Sequence, residues 1–84
     1  MFIIEWKIKA YKQLEKIQKR DRKSITDAVR TLSDFPNCKN INSLTNHRYP
    51  YRLRVGRYRV FFTIEYVVKI AIIEEVKKRD EQTY

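Results

Sequence analysis

Arginines recur along one short stretch of the chain, YRLRVGRYRVFFTI (residues 51–64). A guanidinium presents a planar fork of N–H donors and keeps its charge at physiological pH, so it suits phosphate oxygens. Several such cations close together can hold a phosphate group. Arg52, Arg54 and Arg59 are therefore the first candidates for a phosphate-binding site.

The same stretch predicts a β-hairpin with a defined register. Gly56-Arg57 is a two-residue loop with glycine first, which is typical of a type II′ turn. This turn pairs Val55 with Tyr58 and places Arg54 directly opposite Arg59. Like charges that face each other across a sheet are destabilising, and a guanidinium does not lose its proton to relieve the repulsion. An anion held between the two arginines would relieve it.

Two explanations for the arginine face stay open on the sequence alone. Because side chains alternate along a strand, the hairpin has an apolar face and a second face that carries the three arginines together with Phe61. The apolar face is expected to meet the helices, and its members are Tyr51, Leu53, Val55, Tyr58, Val60 and Phe62. The arginine face either binds a phosphate or is a solvated surface whose cations pair with carboxylates such as Glu74 and Glu75.

The overall charge favours a polyanionic partner. The chain has 19 Lys and Arg residues against 10 Asp and Glu, a formal net charge of +9 over 84 residues. Such a field attracts nucleic acid or an anionic membrane, with an acidic protein partner as the alternative. Basic side chains outside the hairpin form either an RNA-backbone footprint or solvated helix faces. The footprint candidates are Lys12, Lys16, Lys19, Arg20, Lys77 and Lys78.

Length and residue usage narrow the class of protein. A chain of 84 residues suits a single domain (residues 1–84) with a small core. Cys38 is the single cysteine and His47 the single histidine, so we expect no disulfide framework, no metal site and no cofactor. No stretch has the apolar run of a signal peptide or a membrane span, so we expect a cytoplasmic protein without a membrane partner.

Hydrophobic periodicity places two helices before the hairpin. Residues 2–7 (FIIEWK) are β-branched and aromatic, which is typical of a strand. Helical spacing follows around Leu14, and a second apolar stripe runs from Ile25 to Phe35. Asp21 or Ser24 is the expected cap of this second helix, and the Pro at position 36 ends it.

Strands fill the second half of the chain. Residues 37–46 are rich in Asn and Ser and predict a loop, and the hairpin after it is followed by a β-branched run over residues 67–76. The predicted order is β-α-α-β-β-β followed by a charged tail. We therefore expect an α+β fold in which two N-terminal helices pack on one face of a small antiparallel sheet.

The hairpin motif resembles the central hairpin of the RelE/ParE toxin superfamily. The resemblance extends to the early strand with Trp6, the helix with KAYKQLEK (residues 9–16), the Phe-Pro step after the second helix and the C-terminal EVKKRDEQTY (residues 75–84). It implies a small antiparallel sheet with two helices on one face, which agrees with the pattern above. RelE-type toxins are ribosome-dependent endoribonucleases that cleave mRNA in the decoding site and are inhibited by a co-expressed antitoxin, whereas ParE-type toxins inhibit DNA gyrase.

The resemblance also implies a catalytic set. Arg52 and Arg54 match the two basic residues of the first hairpin strand, and Arg59 matches the arginine of the next strand. In the tail, Arg79 matches the family's tail arginine when positions are counted from Arg59 without gaps, and Tyr84 matches the tail tyrosine after a one-residue deletion. Counting back from Tyr84 selects Lys78 instead. In this scheme Arg59 and Arg79 stabilise the transition state, Arg52 and Arg54 grip phosphate, and Tyr84 stacks on or positions the nucleotide.

One departure from the RelE pattern concerns the general base. RelE has lysines where this chain has Arg52 and Arg54, and arginine is a poor base because its pKa is too high. The available substitutes are Lys77, Lys78, Glu74 and His47.

The expected function is thus that of a metal-independent mRNA interferase whose partners are an acidic antitoxin and the ribosome, with no cofactor. The alternatives are a ParE-like gyrase inhibitor and a degenerate toxin that only binds its antitoxin and DNA.

Overall fold

A computed structural model describes residues 1–79 of the chain. It contains two α-helices, a short 3₁₀ helix (Thr31–Asp34) and five strands. The α-helices and strands are β1 (Ile3–Trp6), α1 (Ile8–Glu15), α2 (Lys19–Arg30), β2 (Ile41–Ser43), β3 (Tyr51–Val55), β4 (Tyr58–Glu65) and β5 (Ile70–Lys78).

The strands form one sheet in the order β1-β5-β4-β3-β2. The pairs β2–β3, β3–β4 and β4–β5 are antiparallel, whereas β1 runs parallel to β5. The predicted α+β class with two helices on one face of the sheet is confirmed. The sheet is mixed rather than purely antiparallel, because β1 and β5 are parallel. Both helices and the hairpin lie between these two strands in the chain, which gives enough length for a parallel connection.

The core lies between the helices and one face of the sheet. α1 buries Ala10 and Leu14, and α2 buries Ile25 and Val29. The most deeply buried residues of the sheet are Leu53, Val60, Phe62, Ala71 and Ile73. Burying a large apolar side chain stabilises the fold by about 1.5–3 kcal/mol. A one-residue slip of the hairpin would expose this face, so the packing holds the register.

Four element boundaries differ from the sequence expectation. α2 ends at Arg30 rather than at the Pro at position 36, and the 3₁₀ helix continues its apolar stripe. α2 begins at Lys19, and its cap residue Gln18 makes no side-chain capping hydrogen bond. The expected caps Asp21 and Ser24 both lie inside the helix, so that expectation was wrong. The predicted loop contains the three-residue strand β2, too short for an alternation to reveal it. The last strand begins at Ile70 rather than Val67, after a turn in which Lys69 has a φ of 61°.

A β-bulge interrupts the pairing of β4 with β5. Phe61 pairs with Glu75, whereas the next residue, Phe62, pairs with Ile73. Glu74 is therefore an extra residue without a cross-strand partner of its own.

The bulge decides which side chains of β5 share a face with the arginines. Without the extra residue, the register set by Phe62 and Ile73 would place Val76 opposite Arg59. In the structure Val76 is buried in the core and Lys77 lies opposite Arg59. The bulge thus turns the end of β5 over, so that Lys77 shares the face of Arg59.

We predict that Gly56→Ala lowers the free energy of unfolding by roughly 1–2 kcal/mol, measured by urea denaturation. Gly56 has a φ of 55°, which a residue with a Cβ adopts only with strain, although an added Cβ would meet no atom within 4 Å. Arg57→Ala in the same turn is the control and should change stability by less than about 0.5 kcal/mol. An unchanged midpoint in Gly56→Ala would contradict the assigned turn.

Candidate active site

A row of three cations crosses the sheet on the face away from the helices. The hairpin has the predicted register, with Arg54 directly opposite Arg59. On the other side of Arg59, β5 places Lys77. Facing side chains of an antiparallel sheet have their Cβ atoms about 5 Å apart. Arg54, Arg59 and Lys77 therefore form a repulsive row, which we call the cationic row.

The cationic row borders a shallow pocket at the turn end of the hairpin. The residues that line this arginine pocket are Arg52, Arg54, Gly56, Tyr58, Arg59 and Arg79. The backbone N–H of Arg79 donates a hydrogen bond to the carbonyl oxygen of Arg57, which fixes the end of β5 beside the turn. The structure thus brings four of the five predicted catalytic residues together, and the fifth, Tyr84, lies outside the described residues.

The two tail residues that the sequence left as alternatives lie differently. Lys78 pairs with Tyr58, which lies on the apolar face of the hairpin, so Lys78 is on the helix side of the sheet. Arg79 follows it and lines the arginine pocket. This placement favours Arg79 over Lys78 as the tail cation beside Arg59. The catalytic roles of both residues stay predictions.

The arginines of the pocket keep their charge uncompensated within the described part of the chain. Among residues 1–79, no carboxylate oxygen lies within 4 Å of the guanidinium of Arg52, Arg54 or Arg59. Glu74 instead accepts a hydrogen bond from Thr63 (3.0 Å). Glu74 and Glu75 are therefore not the counterions of these three arginines, contrary to the solvated-face explanation.

Glu75 lies opposite Phe61 on the arginine face, one side-chain position away from the cationic row. Its side chain is almost fully buried, and it accepts hydrogen bonds from the hydroxyl of Tyr49 (3.0 Å) and the amide of Gln13 (3.3 Å). Lys9 (3.4 Å) and Lys77 (3.8 Å) form ion pairs with the same carboxylate. Burial alone raises its pKa, but these hydrogen bonds and cations outweigh burial and hold the pKa of Glu75 below its ordinary value.

An aromatic cluster covers the polar face beside Glu75. Phe61 is 6% exposed although it lies on the arginine side of β4. The His47 ring stacks on it with centroids 5.0 Å apart and planes at 13°, and the Tyr49 ring lies 5.6 Å away. Sequence reasoning missed this cluster and the role of Glu75. The signal available was a phenylalanine in the arginine face, which requires an apolar cover.

The structure separates the four candidates for a general base. Lys77 stands in the cationic row, whereas Lys78 lies on the opposite side of β5. Glu74 is engaged by Thr63, and His47 accepts a hydrogen bond at Nδ1 from the backbone N–H of Tyr49 (3.0 Å). Neutral His47 therefore carries its proton on Nε2 and has no free lone pair there to accept another. Lys77 is the candidate that the sheet brings to the arginines.

The predicted footprint residues are all exposed but do not share one surface. Arg20 lines a groove with the hairpin turn at Gly56 and Arg57, next to the arginine pocket. Lys19 lines a separate groove between α1 and α2. Lys12 and Lys16 lie three and seven residues after Lys9, so helical spacing puts them on the same side of α1 as Lys9. Lys9 forms an ion pair with Glu75, so this side of α1 is the one nearest the arginine face of the sheet.

Comparison with known proteins identifies the family. The model of the ParE toxin of type II toxin–antitoxin systems (parDE) matches residues 4–83. The chain belongs to this toxin family. No curated protein sequence matches it.

Solved structures of related toxins share the fold of this toxin. The isolated E. coli RelE toxin has a TM-score of 0.82 at 14% identity, over 98% of this chain and 88% of that chain. A chain of the RelBE2 toxin–antitoxin complex of Mycobacterium tuberculosis has a TM-score of 0.80 at 20% identity, over 93% and 98%. The YoeB/ParE toxin of Agrobacterium tumefaciens has a TM-score of 0.74 at 12% identity, over 95% and 100%. The toxin fold expected from the hairpin motif is confirmed.

Two further features bear on partners. Over residues 1–79, no helix of the toxin is long and apolar enough to cross a membrane. Over the same residues, no group of three or more His, Cys, Asp or Glu side chains could hold a metal ion.

We predict that Arg54→Gln raises the free energy of unfolding of the toxin by about 0.2–1 kcal/mol at low salt, because it removes one charge from the cationic row. The gain should shrink at high salt, where the repulsion is screened. Urea denaturation at two ionic strengths measures it. Arg30→Gln is the matched control, since Arg30 pairs with Asp27 (3.3 Å) and its loss should bring no gain. Destabilisation by Arg54→Gln at low salt would contradict a repulsive row.

We predict that Glu75→Gln costs about 1–3 kcal/mol of stability at neutral pH, since it leaves Lys9 and Lys77 facing a buried neutral amide. The pKa of Glu75 is lower in the folded toxin than its ordinary value of 4.5, so the carboxylate stabilises fully above that value. This contribution is lost as pH falls through the lowered folded pKa. The stability difference between wild type and Glu75→Gln should therefore be constant above about pH 5 and shrink in more acidic buffer. A difference that grows on acidification would refute this role.

Proposed function

We propose that this toxin is a ribosome-dependent endoribonuclease that cleaves mRNA in the decoding site and so inhibits translation. The observation that carries the proposal is the convergence of Arg52, Arg54, Arg59 and Arg79 on one pocket without a described counterion. A site that retains repulsive cations at a cost in stability is typical of a site whose ligand supplies the negative charge. Forked guanidinium groups match phosphate oxygens in geometry and charge.

The reaction class that fits the pocket is attack of an RNA 2′-hydroxyl on the adjacent phosphate. The 2′-oxygen forms a bond to phosphorus while the bond to the 5′-oxygen of the next nucleotide breaks. Arg59 and Arg79 stabilise the charge that grows on the non-bridging oxygens. Arg52 and Arg54 hold the phosphate so that the attacking and leaving oxygens lie in line. Lys77, in the same row as Arg59, would take the proton from the attacking 2′-hydroxyl and return it to the leaving 5′-oxygen.

Fixed cations account for this chemistry without a metal ion or cofactor. Each charge-stabilising donor contributes on the order of 10²–10³ in rate in other enzymes. Tyr84 remains the predicted nucleotide-stacking residue of the tail. The mRNA would enter along a basic surface that continues from the pocket to Arg20 beside the turn.

We infer two macromolecular partners in the cytoplasm. RelE-type neighbours were solved as complexes with RelB antitoxins from E. coli and Pyrococcus horikoshii, and a toxin with a net charge of +9 suits an acidic antitoxin. The second partner is the ribosome, whose RNA would be bound by Lys12, Lys16, Lys19, Arg20, Lys77 and Lys78.

We predict that Arg59→Ala lowers the single-turnover rate of cleavage on programmed ribosomes by on the order of 10²–10³, because it removes the central cation of the row. Primer extension on a defined mRNA measures the rate. Arg30→Ala, which removes an exposed cation of α2 away from the pocket, is the control and should cleave like wild type. Both variants should retain the wild-type circular dichroism spectrum.

A ParE-like inhibitor of DNA gyrase is the alternative function. The family model that matches residues 4–83 is that of ParE toxins, but the similar solved structures include RelE toxins and RelE complexes, which do not favour this alternative. A gyrase supercoiling assay separates the two candidates. Inhibition of supercoiling together with intact mRNA on ribosomes at low salt would replace the ribonuclease proposal with this one. Cleaved mRNA with unaffected supercoiling would support the ribonuclease.

A further inference from the structure

The loop before β3 builds an aromatic shelf on the arginine face of the sheet. The shelf consists of His47, Tyr49 and Phe61, with Phe61 buried beneath the two other rings. His47 lies almost parallel to Phe61, at 13°, and remains exposed on its outer side. An exposed aromatic ring held flat on a buried one is a surface on which a nucleobase can stack.

Polar contacts hold the shelf in place. The Tyr49 hydroxyl donates to the buried carboxylate of Glu75 (3.0 Å), and the Tyr49 backbone N–H donates to Nδ1 of His47 (3.0 Å). The guanidinium of Arg48 lies 5.6 Å from the centroid of the Tyr49 ring. The ring face of His47 thus contacts Phe61 of the sheet, and its ring nitrogen is held by the loop backbone at Tyr49. Its Nε2–H stays available as a donor.

The shelf stands one row away from the cationic row. Phe61 follows Arg59 by two residues on β4, so their side chains point to the same face about 7 Å apart along the strand. Arg52 lies directly opposite Phe61. A phosphate bound between Arg54 and Arg59 would therefore have the base of an attached nucleotide within reach of His47.

We propose that this shelf binds a nucleobase of single-stranded RNA by stacking it on the outer face of His47. The proposal rests on the ribonuclease function above and adds a base-binding subsite to the same pocket. Arg48 lies over the Tyr49 ring and Arg52 lies opposite Phe61, so the shelf favours an anionic ligand. An anion that also carries an aromatic face is a nucleotide rather than an apolar peptide.

NMR signals of the His47 ring can be used to follow binding at the shelf. The chain has one histidine, so its ring-proton signals are assigned without ambiguity. The probe is a 2′-O-methylated trinucleotide, which lacks the attacking hydroxyl and cannot be cleaved. Titration into the wild-type toxin should move the His47 Hε1 and Hδ2 resonances upfield, through the ring current of a stacked base. A trimer of the same backbone with abasic positions should bind the arginines and leave these resonances in place.

Variants at position 47 test whether the stacking contributes to affinity. His47→Ala should weaken trinucleotide binding by roughly five- to 150-fold, the usual range for one base–aromatic stack. His47→Phe keeps an aromatic face and should bind like wild type. For the abasic trimer, the three proteins should bind equally. Because His47 is exposed on a loop, these variants are expected to fold, and circular dichroism checks it.

The outcomes separate this inference from the function on which it rests. If the trinucleotide shifts the side-chain Nε–H signals of Arg54 and Arg59 while His47 is unmoved, or if His47→Ala binds like wild type, the shelf is only a cover for Phe61 and the inference is wrong. The ribonuclease proposal then survives. If the wild-type toxin binds neither trimer and cleaves no mRNA on ribosomes, both proposals are wrong.

Discussion

The repulsion between Arg54 and Arg59, which face each other across the hairpin, is the constraint that the rest of the structure must hold in place. Two guanidinium groups at opposing positions of a sheet repel each other and cannot be neutralised by loss of a proton. The fold maintains the pair from the other side of the strands, where Leu53 and Val60 are buried against the helices. A slip that separated the arginines would expose that apolar face, so the core enforces the repulsion.

The bulge at Glu74 extends the constraint to β5. It lets Ile73 and Val76 both face the core while Lys77 and Arg79 join the arginine side. The same irregularity directs Glu74 to Thr63 and Glu75 to Tyr49 and Gln13. The nearest carboxylates are therefore committed to neighbours other than the pocket arginines. A concentration of positive charge and a loop anchored on Glu75 arise from one inserted residue.

The hairpin was predictable from sequence because local rules determine it. A two-residue loop that begins with Gly56 defines the pairing of β3 with β4, and alternation then assigns every side chain to a face. The apolar stripe from Ile25 to Phe35 was predictable for the same reason, since a helix has a fixed period. The α-helix carries its first half, and the 3₁₀ helix after Arg30 carries the rest. The toxin fold followed from these elements together with the hairpin motif.

Features that depend on partners distant in sequence were not predictable. The parallel pairing of β1 with β5, the strand β2 and the bulge all arise from tertiary packing that no local pattern encodes. In the sequence Glu75 is one of two adjacent carboxylates, and nothing local distinguishes it from Glu74. Its burial depends on the bulge and on α1, which are features of the tertiary structure. His47 reads as a lone loop histidine until its ring is found on Phe61.

The central claim is that the arginine pocket receives the phosphate of an mRNA on the ribosome. Its most direct test is an electron cryomicroscopy structure of the wild-type toxin on ribosomes that carry a 2′-O-methylated, uncleavable mRNA. We expect toxin density in the decoding site with one mRNA phosphate within hydrogen-bond distance of both Arg54 and Arg59. A toxin bound elsewhere, or bound there with the mRNA backbone away from these two residues, would contradict it.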